Sequence, residues 1–341
     1  MTTREQELTE AVDLCLPDGS ALNPAAKGWS RVPMHRCNLD GHVGRNKRWD
    51  YWAILAGNLV VSWVYSNVDH LGLTDVWWCD LTTGETGGNG TGSRGGEGFV
   101  LPEVPGTAPL LVELDGYSLA ITDDDAGTHV AASWTERDGR PGTLVATVAR
   151  PPGYESVNVV IPWSDDEFNF TSKHQARPAV GELVVGDRRW LIGADDDAWG
   201  VLDVGRGRWP ERIDWNWGGG GGRAGGHIVG LQLGAKWTAG TGFTENGLLV
   251  DGRLSKLGNE LEWTYDWDHP MEPWRVVDPG GQLDVTLTPR YDKVTDLQGR
   301  KRSSQVHQVF GPWTGWLVDD AGTRIEIESI QGFAEEARQH W

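Results

Sequence analysis

Short runs of alternating apolar and polar residues, separated by turn residues, recur along most of the chain. Segments such as WAILAGNLVVSWVYSNV, GTLVATVAR and GTRIEIES have the two-residue period of β-strands. Tight-turn signals occur at Asp115-Gly116, Asp138-Gly139, Gly186-Asp187 and Asp251-Gly252. Helical patterning is confined to about residues 3–14 and 333–340. The pattern predicts an all-β fold of antiparallel barrel-like or sandwich-like sheets.

Two segments share an order of residues that indicates an internal duplication. Each contains His-Gln, at His174 and His307, and each ends in Gly-x-x-acid-x-x-Arg-x-x-Trp. The closing residues are Gly200, Asp203, Arg206 and Trp209 in the first segment and Gly332, Glu335, Arg338 and Trp341 in the second. We therefore expect two similar halves, with His174 equivalent to His307. The predicted division is a helical N-terminal extension (1–27), a first half (28–210) and a second half (211–341) packed as one unit.

Tryptophan is unusually frequent, with 20 Trp against 6 Phe and 6 Tyr. Most of these residues can fill a core in place of Phe. The indole N–H needs a partner when it is buried, however. Many Trp near Asp, Asn and Arg therefore also suit a wide, partly polar cavity for a small-molecule ligand.

Charge and cysteine usage limit the partners and the compartment. The net charge of −19 opposes binding to nucleic acid or to anionic membranes. The sequence has no apolar stretch of the length that a membrane span needs, and its N-terminus lacks the pattern of a signal peptide. Three unpatterned cysteines suit a reducing cytoplasm. The oligomeric state stays open.

The segment RIDWNWGGGGGRAGGHIVG (212–230) contains five consecutive glycines. No Lys-Ser or Lys-Thr follows them, and the next residues alternate like a strand, so a phosphate-binding loop is disfavoured. We interpret the run as a flexible turn that joins the two halves.

No cofactor and no metal are predicted. The segment HRCNLDGH has His35, Cys37, Asp40 and His42, but their spacing matches no recognised zinc motif. The sequence contains no Gly-x-Ser-x-Gly element of a serine hydrolase.

Several blocks, in order, resemble a bacterial family. They are GWSRVPMHRCNLDGHVGRNKRWDYWAI, ESVNVVIPWSDDEFNFTSKHQ, VGRGRWP, DWNWGG, GTGFTENGLLVDGRLSKLG and VHQVFG, and the family is domain-of-unknown-function family 2804. More distantly, GTGFTENG and the strand pattern resemble the double-lipocalin proteins that include carotenoid 1,2-hydratase, tocopherol cyclase and fungal Diels–Alder cyclases. The resemblance implies two lipocalin-like barrels with a ligand pocket near their junction.

Glu245 is the first candidate for chemistry, with Asn246 beside it as a ligand-binding residue. Both lie among glycines at a predicted bend between strands. A carboxyl group near apolar and aromatic neighbours has a raised pKa and can act as a general acid. The distantly similar hydratases imply an acid in a comparable place. A Glu that caps a surface turn is the alternative.

Asp214 is a second catalytic candidate, and Asn216, Trp215 and Trp217 are candidate ligand-binding residues. Asp214 and Asn216 share one strand face, and Trp215 and Trp217 share the other. The first pair then faces either a polar pocket or solvent.

His307 is a candidate general base, and His174 a candidate ligand-binding residue. Packing is the alternative role for each. Trp49 and Tyr51 are expected on one wall of a pocket, or in stacking with Arg. The i, i+3 pairs Asp203/Arg206 and Glu335/Arg338 are expected to form structural ion pairs.

Three function classes fit these features. The first is a cofactor-independent acid–base enzyme (hydratase, dehydratase, cyclase or isomerase) acting on an apolar or terpenoid-like molecule in a Trp-lined pocket. The second is a glycoside-acting enzyme that uses paired carboxylates. The third is a non-catalytic lipid or terpenoid carrier.

Overall fold

The computed structural model describes residues 3–42, 44–193, 197–299 and 302–340. Within these ranges the chain consists of strands and loops, without an α-helix and with one 3-10 turn at Pro24–Ala26. The all-β prediction is confirmed. The described part of the chain therefore contains no helix with the length and apolar character needed to cross a membrane.

The strands group by position along the chain. Three short strands come first in the chain: β1 (Val12–Asp13) and β3 (His35–Arg36) pair with each other, and β2 (Trp29–Ser30) belongs to the first main sheet. The first half contains β4 (Asn46–Ala56), β5 (Leu59–Asn67), β6 (Leu71–Asp80), β7 (Glu85–Arg94), β8 (Leu110–Leu114), β9 (Tyr117–Asp123), β10 (Gly127–Thr135), β11 (Pro141–Ala149), β12 (Val157–Pro162), β13 (Phe168–Val185), β14 (Arg188–Ile192) and β15 (Ala198–Arg208). The second half contains β16 (Arg212–Ala224), β17 (His227–Ala235), β18 (Gly247–Val250), β19 (Arg253–Lys256), β20 (Glu262–Thr264), β21 (Trp274–Val277), β22 (Leu283–Leu287), β23 (Tyr291–Gln298), β24 (Ser303–Val318) and β25 (Arg324–His340).

Nine strands of each half follow the same order, which confirms the duplication, and β8 and β14 of the first half have no counterpart among the described residues. The first sheet runs β7-β6-β5-β4-β15-β13-β11-β10-β9-β8, and the second runs β19-β18-β17-β16-β25-β24-β22-β21-β20. In each sheet the last strand of the half (β15 or β25) lies between the first long strand of that half (β4 or β16) and a later long strand (β13 or β24). Strand β12 pairs with β13 as β23 pairs with β24. The molecule therefore has two lipocalin-like antiparallel halves.

Strand register shows which residues of the repeat are equivalent. Asp203 lies between Lys173 and Tyr51, and Glu335 lies between Gln308 and Trp217 in the corresponding strands.

The predicted equivalence of His174 and His307 is wrong. His174 pairs with Leu202, one residue before Asp203, whereas His307 pairs with Glu336, one residue after Glu335. The two histidines are thus offset by two positions, because the His-Gln match is loose and the acid-x-x-Arg match sets the true register. The predicted match of Trp209 with Trp341 involves a residue outside the described ranges.

All four predicted tight turns connect consecutive strands, at Asp115-Gly116, Asp138-Gly139, Gly186-Asp187 and Asp251-Gly252. The two predicted helical segments are wrong. Residues 333–340 belong to β25.

The N-terminal segment is extended rather than helical. Trp29 donates its backbone N–H to Gln6 and accepts from Leu8, and Val12 donates to Met34. These bonds to a neighbouring segment replace the internal bonds of a helix, and tertiary pairing overrides the weak local preference.

The glycine run is part of a strand, not a flexible turn. Residues 218–222 lie in the middle of β16 and are buried. A Cβ at Gly219 would lie 2.5 Å from the Gln175 side chain, and one at Gly221 would lie 2.7 Å from Ala176. Gln175 and Ala176 lie at an irregularity of β13 in the first half. The glycines therefore let the two halves approach closely.

Candidate functional site

A cavity of about 300 Å³ lies at the junction of the two halves. Its wall combines aromatic rings with a few charged side chains. The first half contributes Trp49, Tyr51, Val64, Asn169, Thr171, Lys173, Asp203 and Trp209. The second half contributes Trp215, Trp217, Trp237, Glu245, Lys293, Thr295, Val306, Gln308 and Glu335.

Equivalent strands of the duplicated halves supply facing parts of this wall. Trp49 pairs with Gly205 two residues beyond Asp203, and Trp215 pairs with Ala337 two residues beyond Glu335. Tyr51 and Trp217 lie directly opposite those two acids. The cavity is thus pseudo-symmetric in this part of its wall, where equivalent positions of each half present two aromatic residues and one acid.

The indoles form a connected group on one side of the cavity. Trp209 contacts Trp49, Trp215 and Trp237 at ring-centroid distances of 5.3, 5.6 and 5.7 Å. Ring pairs at these distances pack favourably and are rigid. Their faces leave an apolar, electron-rich surface beside the charged side chains.

Lys173 connects acids from both halves. Its ammonium lies 2.9 Å from Asp203 Oδ1 and 3.2 Å from Glu245 Oε2, and 4.4 Å from the centre of the Trp217 ring. All four side chains are buried. Asp203 also accepts hydrogen bonds from Trp49 Nε1 and Thr171 Oγ1, both at 3.2 Å. The charges of Lys173 and Asp203 therefore compensate each other even when Glu245 is neutral.

Glu245 lies in the loop between β17 and β18, and Gly234 in β17 makes room for its side chain because a Cβ there would collide with the carboxyl group. Trp237 Nε1 donates to Glu245 Oε1 at 2.7 Å. Burial raises the pKa of Glu245 to about 7, against the opposing effect of the Lys173 charge. At neutral pH the group can hold a proton on Oε2, because Oε1 accepts from the indole.

Glu335 is the second acid of the cavity with a raised pKa. Burial raises its pKa to about 7, although Trp215 Nε1 donates to Oε1 at 2.6 Å. Burial also lowers the pKa of Lys293, whose nearest carboxylates are at Asp75 and Glu335. The site thus holds two acids, Glu245 and Glu335, whose pKa values lie near 7.

The structure brings five of the predicted site residues together in this cavity: Glu245, Trp49, Tyr51, Trp215 and Trp217. Alternation along β4 and β16 accounts for the four aromatic residues, since residues two apart share a strand face.

The other predicted residues lie elsewhere. Asp214 is exposed to solvent, which is the second of the two placements expected for it, and it does not line this cavity. Asn216 faces away from the cavity and donates to the Tyr265 hydroxyl and the Glu335 carbonyl. The Asn246 side chain is hydrogen-bonded to backbone groups: Gly234 N donates to its Oδ1, and its Nδ2 donates to Asn259 O.

Neither histidine reaches the junction cavity. His307 lies between Val306 and Gln308, which line the cavity, and therefore points to the other face of β24. There its Nδ1 lies 2.7 Å from Asp292. His174 lines a different cavity, inside the first half.

Sequence reasoning misses Lys173, Asp203 and Glu335 as site residues. The two acids carry a signal, the repeated Gly-x-x-acid motif, but the ion pairs with Arg206 and Arg338 that it predicts are wrong. Residues three apart lie on opposite faces of a strand, so they cannot pair as they would on a helix.

The two arginines have other partners. Arg206 pairs with Asp50 at 2.6 Å, and Arg338 pairs with Glu336 at 2.8 Å.

Metal-binding potential is low in the described residues, which contain no group of three or more His, Cys, Asp or Glu arranged to hold an ion. His35 and Cys37 of the HRCNLDGH segment are buried. Burial lowers the pKa of His35 to about 4 and raises that of Cys37 to about 12.

Two lipocalin-like halves with an aromatic cavity at their junction define a double-lipocalin-like β protein. The chain belongs to the family Domain of unknown function (DUF2804), whose model matches residues 5–341. No curated protein matches it in sequence.

Solved structures of two proteins have a similar chain path. CghA is 13% identical, with 97% of each chain covered and a TM-score of 0.48, and CghA with Sch210972 also has a TM-score of 0.48. Kievitone hydratase from Nectria haematococca is 10% identical, with 100% of this chain and 98% of that chain covered and a TM-score of 0.49. At these identities the likeness concerns the fold and carries no activity over to this chain.

Proposed function

We propose that this protein is a cofactor-independent acid–base enzyme of the hydratase, dehydratase, cyclase or isomerase type. Its substrate is an apolar or terpenoid-like small molecule that binds in the junction cavity. The observation that carries the proposal is a buried carboxyl group, Glu245, with a pKa near neutrality in an aromatic cage. Catalytic acids are most effective when their pKa lies near the working pH.

Glu245 is the proton donor in this proposal. Its Oε2 holds the proton and gives it to a substrate double bond, so that a C–H bond forms and the neighbouring carbon becomes a cation. Addition of water and return of one proton to the Glu245 carboxylate complete a hydration. Attack by a second double bond of the same substrate moves the cation to another carbon, and loss of a proton from the adjacent carbon to the Glu245 carboxylate completes a cyclisation instead.

Lys173 and the indoles support the charges that arise in this step. After transfer, the Glu245 carboxylate lies 3.2 Å from the Lys173 ammonium, which stabilises the new negative charge. Indole faces attract cations, so the surrounding Trp rings suit a carbocation. The Lys173 ammonium therefore stabilises the carboxylate, and the indole rings stabilise the carbocation that forms in the same step.

An apolar surface pocket beside the junction cavity supports the substrate class. A second, larger space of about 650 Å³ shares Trp49 and Val64 with the junction cavity. Its wall includes Leu71, Leu73 and Leu297, which are 38%, 41% and 65% exposed. Exposed apolar side chains gathered in one place mark contact with an apolar partner. In this proposal an apolar substrate approaches the junction cavity along this surface.

Deuterium incorporation tests the reaction class even while the substrate is unidentified. An apolar small-molecule extract of a source strain lacking the gene is incubated in D₂O with the wild-type protein, the Glu245→Gln variant or no protein. We expect the wild-type protein to convert a compound and leave deuterium on carbon, detected by mass spectrometry. We expect Glu245→Gln to reduce this conversion at least 100-fold, consistent with the loss of general acid catalysis.

The two other function classes give different results. A glycoside-acting enzyme releases a sugar and leaves its carbon-bound hydrogens unlabelled. A carrier retains a compound on the protein, equally with either variant, and changes none. Either result would overturn the proposal.

A further inference from the structure

A second cavity, of about 340 Å³, lies inside the first half. Trp52, Ser172 and His174 line it, whereas the alternate residues Tyr51 and Lys173 line the junction cavity. The two cavities therefore lie on opposite faces of β4 and β13. The described wall of the second cavity contains none of the groups assigned to the acid–base chemistry.

A bulge of one residue in β13 turns Arg177 toward this second cavity. His174 pairs with Leu202 of β15. Arg177 is three residues further along β13 but pairs with Gly200, only two residues further along β15. The extra residue places Arg177 on the face of His174, where regular alternation would place Ala176. Ala176 has a φ of 55°, a strained value for a residue other than glycine, and such strain is often found at ligand sites.

The Arg177 guanidinium is buried and only partly hydrogen-bonded. The residue is 1% exposed. Its Nε donates to Ala149 O at 2.9 Å, and its Nη2 donates to Val148 O at 2.8 Å and to Thr128 Oγ1 at 3.3 Å. Nη1 donates to none of the described residues, yet it is not one of the fully enclosed atoms without a partner. Its two N–H groups are therefore open to a molecule in the cavity.

The charges on the cavity wall leave Arg177 without a counter-charge. The wall contains two carboxylates, and each has its own arginine: Asp123 lies 2.9 Å from Arg150, and Asp50 lies 2.6 Å from Arg206. Arg177 has no ion-pair partner among the described carboxylates. Burial lowers its pKa to about 10, so it keeps its charge at neutral pH. The wall thus carries one positive charge that no acid of the described chain compensates.

Arg208 shows how a buried arginine without a carboxylate partner can be satisfied within this protein. It is fully buried and does not line the cavity. All three of its side-chain nitrogens donate, to Asn46 Oδ1 and to three backbone carbonyls. Arg177 differs because Nη1 has no such acceptor. The missing acceptor and the missing negative charge are both supplied by an anion in the cavity.

The rest of the cavity suits the apolar body of a small molecule. Apolar side chains on its wall are Trp52, Leu110, Ile121, Leu202 and Val204. Its rim includes Val32, which is 41% exposed, and the exposed residues 106–108. The cavity therefore combines one buried cation, an apolar wall and an exposed rim.

We propose that the first-half cavity is a second ligand site, which binds a compact apolar monocarboxylate through Arg177. The ligand carboxylate accepts from Arg177 Nη1, a charge-assisted hydrogen bond, and the apolar body packs on the wall beside Trp52. The site does not rest on the proposed function of the junction cavity, because it lies on the other face of the sheet.

A pair of ligands of the same shape tests the charge. The full wild-type chain is used at pH 7 with 4-bromobenzoate and with the neutral 4-bromobenzamide. Bromine is located in soaked crystals by anomalous scattering, and affinities are measured by calorimetry. We expect bromine from 4-bromobenzoate in the first-half cavity, and at least tenfold weaker binding of the amide. Bromine only in the junction cavity, binding at crystal concentration only, or equal affinities for both compounds would overturn the proposal.

A pair of arginine variants tests the binding group. Arg177→Met keeps the length of the stem but removes the charge, and we expect it to weaken 4-bromobenzoate binding at least tenfold. Arg208→Met is the matched control, since it removes a buried arginine outside the cavity wall and should leave the affinity unchanged. Thermal unfolding shows whether each variant is folded. Equal affinities of folded Arg177→Met and wild type would contradict the site, and if Arg177→Met does not fold, the ligand pair on the wild type decides.

Glu245→Gln separates the two proposals. It removes the proposed proton donor of the junction cavity but should bind 4-bromobenzoate in the first-half cavity with wild-type affinity. Loss of both conversion at the junction and 4-bromobenzoate binding in this variant would show that the carboxylate binds at the junction, against the second site.

Discussion

At the residue scale, the charge arrangement in the junction cavity depends on Lys173. Its ammonium is the shared cation of Asp203 and Glu245, and all three groups are buried. Removal of one partner from a buried ion pair costs about 3–5 kcal/mol, because the remaining charge is left without compensation. The same removal costs less where the remaining acids can take up protons.

We expect Lys173→Met to lower the free energy of unfolding by about 3–5 kcal/mol at pH 8 and by less at pH 5.5. Chemical denaturation at the two pH values measures this. Lys293→Met is the control: Lys293 lines the same cavity, but its ammonium lies 3.5 Å from a hydroxyl, Ser62 Oγ, and interacts with the charges of Asp75 and Glu335 only beyond ion-pair distance. Equal losses for both variants at both pH values would show that the cluster has no special charge coupling.

Glu335 links the site to the pH dependence of stability. Its pKa is about 7 in the folded protein, against 4.5 for an ordinary Glu, so the folded state keeps a proton that the unfolded chain releases between these values. The free energy of unfolding therefore falls as pH rises through this window, by about 3 kcal/mol for such a group, and is level above it.

We expect Glu335→Gln to reduce that fall by about 3 kcal/mol between pH 5 and 8, and to be more stable than the wild type at pH 8. Urea unfolding across this pH range provides the measurement. Glu328→Gln, an exposed change in the same strand β25, is the control and leaves the slope unchanged. A variant with the wild-type slope would show that Glu335 is ionised throughout.

At the element scale, β16 contacts two strands of the first half, β13 and β15. Its glycines admit Gln175 and Ala176 of β13, and Gln175 Oε1 accepts from Gly220 N at 3.0 Å. Gln175 Nε2 donates to Gln232 Oε1 at 2.9 Å, and the same oxygen accepts from Trp217 Nε1. The interface therefore positions Trp217 in the cavity.

We expect Gly221→Val to destabilise the protein by at least 1–3 kcal/mol, the usual range for overpacking, because its side chain collides with Ala176. Asp214→Val adds the same side chain to the exposed face of β16 and is the control. Thermal unfolding compares the two. Similar melting temperatures would contradict the close approach of the halves at this strand.

Sequence periodicity predicts part of this arrangement. The alternation in β4 and β16 places Trp49 with Tyr51 and Trp215 with Trp217, and the four tight turns follow from their Asp-Gly or Gly-Asp pairs. The segment 52–68 is less informative, since it contains parts of two strands with a turn at 57–58.

The charged cluster could not be predicted in this way. Lys173, Asp203 and Glu245 come from three separate parts of the chain, and only the packing of one half on the other brings them together. The glycine run forms a strand for a reason that is equally invisible in its local sequence. In the folded protein β13 of the first half occupies the space that larger side chains at these positions would fill.

At the scale of the whole molecule, two apolar clusters hold the halves together. One contains Trp29, Trp209 and Trp237, and the other contains Trp217, Phe310 and Phe333. Phe310 of the second half contacts Trp77 of the first, with ring centroids 5.5 Å apart. The halves should therefore unfold together.

We expect Phe310→Ala to lower the free energy of unfolding by about 3–5 kcal/mol within a single transition, because it leaves a cavity between the halves. Differential scanning calorimetry measures the transition, and the exposed Val294→Ala is the control. Two transitions, of which only one shifts, would show that the halves are energetically separate.

The junction cavity acts as an acid–base site only if Glu245 holds a proton at neutral pH. The most direct measurement is infrared difference spectroscopy of the carboxyl stretch of Glu245 across pH, with Glu245→Gln as the subtraction reference. We expect a protonated carboxyl band that titrates with a pKa of about 7 and is missing from the variant. A Glu245 that is fully ionised by pH 5.5 would contradict it, because the proposed donor would then have no proton to give.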